Sequence, residues 1–176
     1  MCGSGTIPIE AALWANGIAP GSFKPDFSVR HWNNFDADLF TSVLEAQTNQ
    51  NSLPSIIQGS DIQARAISMA KTNAKRAGVD DFIAWRTSLF ETLQSAKTEP
   101  GLLVFNPPYG ERISDQASLP ALYTKIGEAL RKYPGWKAGI LMADPGLIKN
   151  IEHKPTQSIP LFNGAIECRL VLVDVH

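Results

Sequence analysis

Cysteine is scarce in this 176-residue chain: Cys2 and Cys168 are the two present, with no CxxC spacing and no histidine beside either. A disulfide framework or a cysteine-based zinc site is therefore not expected to organise the fold. His31, His153 and His176 lack metal-ligand spacing, so neither a metal nor a catalytic histidine is expected. No apolar run is long enough to cross a bilayer, and no secretory leader or basic amphipathic anchor is seen; the expected location is the cytoplasm, without a membrane partner. An excess of one charge is missing as well. Sixteen Lys and Arg stand against 17 Asp and Glu, a formal net charge of −1. The domain as a whole thus has no electrostatic footprint of a nucleic-acid binder, and any nucleic acid must be held locally or by something outside this sequence.

What is present suits one globular domain over residues 1–176, at 44% hydrophobic and 19% charged residues. The chain opens on CGSGT, a glycine-rich loop running into a helix read at Ile9 to Ala15, with Pro8 in the first turn where a missing N–H costs nothing. Such loops normally follow a strand, so the sequence reads as a piece of something longer, lacking its first strand.

An irregular stretch from Gly17 to Asn34 leads to a helix at Asp38 to Gln47. A β-rich segment follows, Ser55 to Asp61, and then a helix whose stripe is read as Ile62, Ala66, Met69, Ala70, Asn73 and Ala77. Phe82 to Arg86 reads as a strand. LLVF, Leu102 to Phe105, reads as one covered on both faces. An amphipathic helix carries Leu119, Leu122, Tyr123, Ile126 and Leu130, and a strand follows at Lys137 to Ala143. SIPLF and AIECRLVLVDV flank Asn163 and Gly164, a hairpin pattern with those two residues as the turn. The predicted fold is α/β: a mostly parallel three-layer sheet ending in an antiparallel hairpin.

Three features carry chemistry. In CGSGT, glycines let backbone approach a ligand and expose N–H groups at a helix N-terminus, although a lone GxG is better explained by a tight turn. Asp61 at the carboxyl end of its strand can accept both hydroxyls of a ribose, or cap the next helix. FNPPYGERI is the most unusual. Two prolines stiffen the strand extension and remove donors. The Asn106 side-chain carbonyl and the Pro107 main-chain carbonyl could then converge on the two hydrogens of an exocyclic amine. Accepting those hydrogens favours a more tetrahedral nitrogen with its lone pair freed for attack. Tyr109 can stack on the base. A surface turn of two prolines is the plain alternative.

Taken together, CGSGT, the strand ending in Asp61, FNPPYGER and LFNGAIECRLVL resemble the methyltransferase domain of the bacterial 23S rRNA guanine-N2 methyltransferases, from Met1 to Val175. Members of this family were often labelled predicted N6-adenine-specific DNA methylases because both groups share NPPY. The resemblance implies a class I, Rossmann-like fold and S-adenosyl-L-methionine as cofactor. It implies that Cys2, Gly3, Ser4, Gly5 and Thr6 with Asp61 and Ile62 form the cofactor site, Gly3 to Gly5 lining the methionine end and Asp61 the ribose. It likewise implies that Asn106, Pro107, Pro108 and Tyr109 hold the target guanine.

Fuller members carry a THUMP domain that helps bind RNA; none is present in this sequence. Where the family has an acid after the third strand to meet the adenine amine, this chain reads RTSLFET, leaving Ser88 or Glu91 for that role. Arg112 is the best placed residue for an RNA phosphate, whereas Lys71, Lys75 and Arg76 read as a solvated helix face. The four tryptophans, Trp14, Trp32, Trp85 and Trp136, read as core or loop anchors. The expected activity is in-line methyl transfer to the N2 amine of a guanine in 23S rRNA. Two alternatives stand beside it: adenine-N6 methylation of DNA or RNA, and a catalytically silent domain binding nucleic acid or a partner.

Overall fold

A computed structural model describes residues 1–19, 26–47, 57–92, 100–109 and 117–176. The chain divides into two compact units, Cys2–Thr87 and Ser88–His176, the latter taking in Met1.

In the first unit, helix α1 (Thr6–Ala15) follows the glycine loop, beginning three residues earlier than the helix formers alone predict. Helix α2 spans Ala37–Gln47. Strand β1 (Ile57–Asp61), helix α3 (Ala64–Arg76) and strand β2 (Ile83–Thr87) make a βαβ unit whose strands pair in parallel, Asp61 opposite Thr87. The core stripe of α3 is Ile67, Ala70 and Ala74; of the predicted stripe Ala70 is buried and Ala77 packs against the core, whereas Ile62 is 62% exposed and Met69 is 49% exposed. The helix begins two residues after Ile62, so the i, i+3, i+7 face is rotated from the one counted from that residue. Its small alanines admit close packing with Ile9, Ala12, Val79 and Ile83.

Trp85 and Gly59 fit the same close-packed layer. A Cβ on Gly59 would stand 2.4 Å from the Trp85 ring, so the indole lies where a side chain at 59 would be. Trp136 covers Gly101 in the second unit in the same way. These two tryptophans anchor packing as read; Trp14 and Trp32, by contrast, are 75% and 64% exposed.

The second unit holds strand β3 (Leu102–Phe105), helix α4 (Leu119–Leu130), strand β4 (Lys137–Met142) and the hairpin β5 (Pro155–Asn163) and β6 (Ile166–Asp174), in sheet order β3-β4-β6-β5. β3 and β4 are parallel; β6 is antiparallel to both β4 and β5. The predicted stripe of α4 packs on Phe105, Ala138, Ile140, Met142, Val171 and Val173. LLVF is not covered on both faces: Leu102 and Val104 are exposed, whereas Phe105 is buried. Parallel βα units ending in an antiparallel hairpin give a Rossmann-like order of elements.

The hairpin turn lies one residue beyond its predicted place. Asn163 pairs with Ile166, so Gly164 and Ala165 form the two-residue loop, with Gly164 at φ 63°. A first loop residue at positive φ followed by one that is not is the type II′ pattern, which glycine allows and asparagine resists.

Helix α4 comes unusually close to the backbone at Ile151. A Cβ on Gly127 would lie 2.1 Å from the Ile151 carbonyl oxygen, and backbone cannot swing aside as a side chain can. Gly127→Ala is therefore expected to destabilise the chain by about 3 kcal/mol, the upper range for overpacking, visible as a lower midpoint in urea denaturation. An unchanged midpoint would show that the helix can back away freely.

Candidate functional site

The glycine loop and the end of β1 are joined by backbone and carboxylate hydrogen bonds. Cys2 N–H donates to the Ser60 carbonyl at 2.9 Å, and Gly3 N–H donates to Asp61 Oδ2 at 3.0 Å. The other carboxylate oxygen, Oδ1, accepts from Gln63 N–H at 2.9 Å. Asp61 is thus not the N-cap of α3, which is Gln63. It clasps the loop on one side and turns the chain toward the helix on the other. Each carboxylate oxygen can accept more than one hydrogen, so these bonds leave acceptor capacity for hydroxyls.

Within the loop, Gly3 and Gly5 both have positive φ, 54° and 87°, conformations that side chains resist. They differ in surroundings. Gly3 is exposed, with open space where a Cβ would be; a Cβ on Gly5 would stand 2.8 Å from the Ala70 Cβ. Gly5 is a packing glycine and Gly3 a surface one. Ser4 is held by its carbonyl, which accepts from Asn73 Nδ2 at 3.0 Å. Thr6 is exposed at the start of α1, whose N-cap Gly5 supplies no side-chain acceptor. Partial burial pushes the Cys2 thiol above its ordinary value, which lowers its reactivity at neutral pH.

The second constellation lies at the end of β3. Asn106 is exposed, the Pro107 side chain is fully buried, Pro108 is exposed and Tyr109 is half-buried. Pro107 therefore anchors the segment while its neighbours face solvent. Tyr109 does not hang free as a stacking ring. Its hydroxyl donates to Asn106 Oδ1 at 3.1 Å and accepts from Asn163 Nδ2 at 2.9 Å. Burial raises the Tyr109 pKa; the bond from Asn163 lowers it and the neighbouring Cys168 raises it. Tyr123 behind it in α4 is pushed up to about 12 by burial. Both phenols are therefore neutral near pH 7.

Ser88 opens the second unit with its Oγ buried and without a hydrogen-bond partner among the described residues, and one carboxylate oxygen of Glu91 shares that condition. The other Glu91 oxygen lies 3.7 Å from Lys125 Nζ. Arg112 and the rest of GERI lie outside the described residues.

A family model described as RMKL-like, methyltransferase domain matches residues 1–171. This chain belongs to the RMKL-like methyltransferase domain family. It is 39% identical to a ribosomal RNA large subunit methyltransferase K/L of Shewanella amazonensis and 36% to one of Shewanella baltica (strain OS185), in each case over 100% of this chain and 26% of the relative. The chain spans about a quarter of the length of those curated relatives.

Among solved structures, a possible methylase from Clostridium difficile 630 superposes with a TM-score of 0.86 at 30% identity, covering all of this chain and 47% of that one. The protein SMU.472, complexed with SAH, gives 0.85 at 30% identity over the same shares. A predicted N6-adenine-specific DNA methylase from Listeria monocytogenes gives 0.82 at 32%, covering 100% of this chain and 45% of that one.

For this RMKL-like domain, the structure places the sequence-derived residues in two groups: Cys2 to Thr6 with Asp61 and Ile62 in the first unit, Asn106 to Tyr109 in the second. Asn163 was missed, having been read as a turn residue. The signal was available: in a two-residue type II′ loop, glycine occupies the first position, which returns the preceding asparagine to the strand.

Proposed function

We propose that this RMKL-like domain, residues 1–176 of the sequence, transfers the methyl group of S-adenosyl-L-methionine to the exocyclic N2 amine of a guanine in 23S rRNA, in the cytoplasm. The observation that carries the reading is the polar end of β3. A buried proline holds an exposed asparagine whose side-chain oxygen is oriented by a tyrosine hydroxyl, a rigid acceptor where an amine's hydrogens need one.

The residues of the first unit fit the cofactor. Asp61 retains acceptor capacity for ribose hydroxyls, Gly3 leaves open space beside its backbone, and exposed Ile62 next to Asp61 offers an apolar wall for an adenine ring. Ser88, the first residue of the second unit, has a buried hydroxyl without a partner among the described residues. When bound, S-adenosylmethionine supplies an electrophilic methyl on a positively charged sulfur. The chain's own contribution is positional: Asn106 and Pro107 accept the amine's hydrogens and favour a pyramidal nitrogen, and Tyr109 supports the base. The surplus proton leaves to water.

A second reading, adenine-N6 methylation, is favoured by the resemblance at 32% identity to the Listeria monocytogenes protein described as a predicted N6-adenine-specific DNA methylase. Methylation of unmodified 23S rRNA and of adenine-containing DNA, followed by digestion to nucleosides, separates the two. N2-methylguanosine is the expected product. N6-methyladenine would move the conclusion to the second reading, and no product from either substrate would overturn both.

A further inference from the structure

The tip of the hairpin is tied to the segment that ends β3. By pairing register, Asn163 shares its face of the hairpin with Ile166, its partner on β6, and by alternation with Leu161 and Cys168. From that face its amide reaches the Tyr109 hydroxyl at 2.9 Å. An amide NH₂ only donates, so the phenol oxygen must accept there and send its own hydrogen elsewhere. Asn106 Oδ1, 3.1 Å away, takes it. The polarity of the whole chain of bonds is therefore set at its hairpin end. Asn106 is exposed and would otherwise rotate; with its oxygen held by the phenol, the amide has one preferred orientation.

We propose that Asn163 is a positioning residue for the reaction: by donating to the Tyr109 hydroxyl it directs that hydroxyl's hydrogen onto Asn106 Oδ1 and so fixes the amide that meets the target amine. This rests on the functional reading above and adds to it a role for the NGAIEC hairpin. The hairpin is no passive edge of the sheet; its one-residue register decides whether an amide or a turn faces the tyrosine. A shift of the loop by one residue would turn Asn163 to the opposite face and break the relay.

Asn163→Asp tests polarity apart from shape. The carboxylate is nearly isosteric with the amide but only accepts, so it draws the phenol hydrogen to itself and leaves Asn106 unheld. kcat is expected to fall by about tenfold, the loss of roughly one hydrogen bond's worth of positioning, with S-adenosylhomocysteine affinity unchanged. Asn163→Ala should fall by a similar factor. A merely structural role predicts instead that aspartate is tolerated and alanine is not.

A second readout needs no methyl transfer. The chain has three tyrosines, so tyrosinate absorbance, with Tyr109→Phe as the subtraction, isolates the titration of Tyr109. Both Asn163 variants should move that titration to higher pH, because the donated bond stabilises the phenolate. Wild-type titration in Asn163→Asp overturns the proposal, as does wild-type kcat in it. A wild-type protein that methylates neither substrate refutes the functional reading and the catalytic role with it, while the titration still decides whether the relay exists.

Discussion

Replacing Asn106 with alanine is expected to lower kcat for methyl transfer by about 10²–10³-fold while S-adenosylhomocysteine affinity stays at its wild-type value. An aniline-like amine conjugated to a purine attacks poorly, because its lone pair is spread into the ring. Groups that accept its hydrogens act more strongly as the nitrogen becomes tetrahedral, so their removal falls on the chemical step and not on ground-state binding. The substitution also leaves the Tyr109 hydroxyl without its acceptor, releasing the ring from the position that the 3.1 Å bond gives it. Asn106→Asp keeps an acceptor in place and should retain more activity than alanine. Single-turnover rates beside calorimetric titration with S-adenosylhomocysteine provide the comparison; equal rates for alanine and wild type would remove Asn106 from the mechanism.

Asp61→Ala is expected to weaken S-adenosylhomocysteine binding by about 100-fold or more. Hydrogen bonds to a charged acceptor contribute roughly 1.5–3 kcal/mol each, and the carboxylate is assigned two ribose hydroxyls. A further loss comes from the loop itself. Without Oδ2 the Gly3 N–H loses that partner, while the bond from Cys2 N–H to the Ser60 carbonyl still ties the loop to β1. Asp61→Asn should not rescue fully, since an amide would present a donor to one of two backbone N–H groups that now both meet acceptors. Here the effect belongs in Kd, with thermal stability little changed because the acid is part-exposed at a strand end. Wild-type affinity in the alanine variant would show that the ribose is held elsewhere.

The sequence is legible where a side chain's role depends on its neighbours in the chain. LLVF, the α4 stripe and the Asp61 strand end are local patterns; LLVF keeps both predicted termini, and the other strand its predicted carboxyl end, Ser55 lying outside the described residues. Prolines within NPPY dictate stiffness wherever they stand. Legibility fails where the deciding contact is distant. The α3 stripe was counted from Ile62, but the alanines that pack are chosen by Gly5, Trp85 and the α1 surface, none of which periodicity reveals. The hairpin was recognised and its turn misplaced by one residue, enough to hide Asn163 among loop residues. Exposure of Leu102 and Val104 was missed because an apolar strand reads alike whether one face or both are covered.

Strand β5 forms one edge of its sheet, with β6 as its neighbour, and it carries Pro155 and Pro160 on either side of a bulge near Gln157. Each proline deletes a donor from a ladder that a second molecule would need, and the bulge breaks the even spacing such a ladder requires. A nine-residue strand rich in exposed side chains would otherwise invite another copy to extend the sheet. The hairpin that sets the tyrosine is thereby also fitted with stops against growth into fibres.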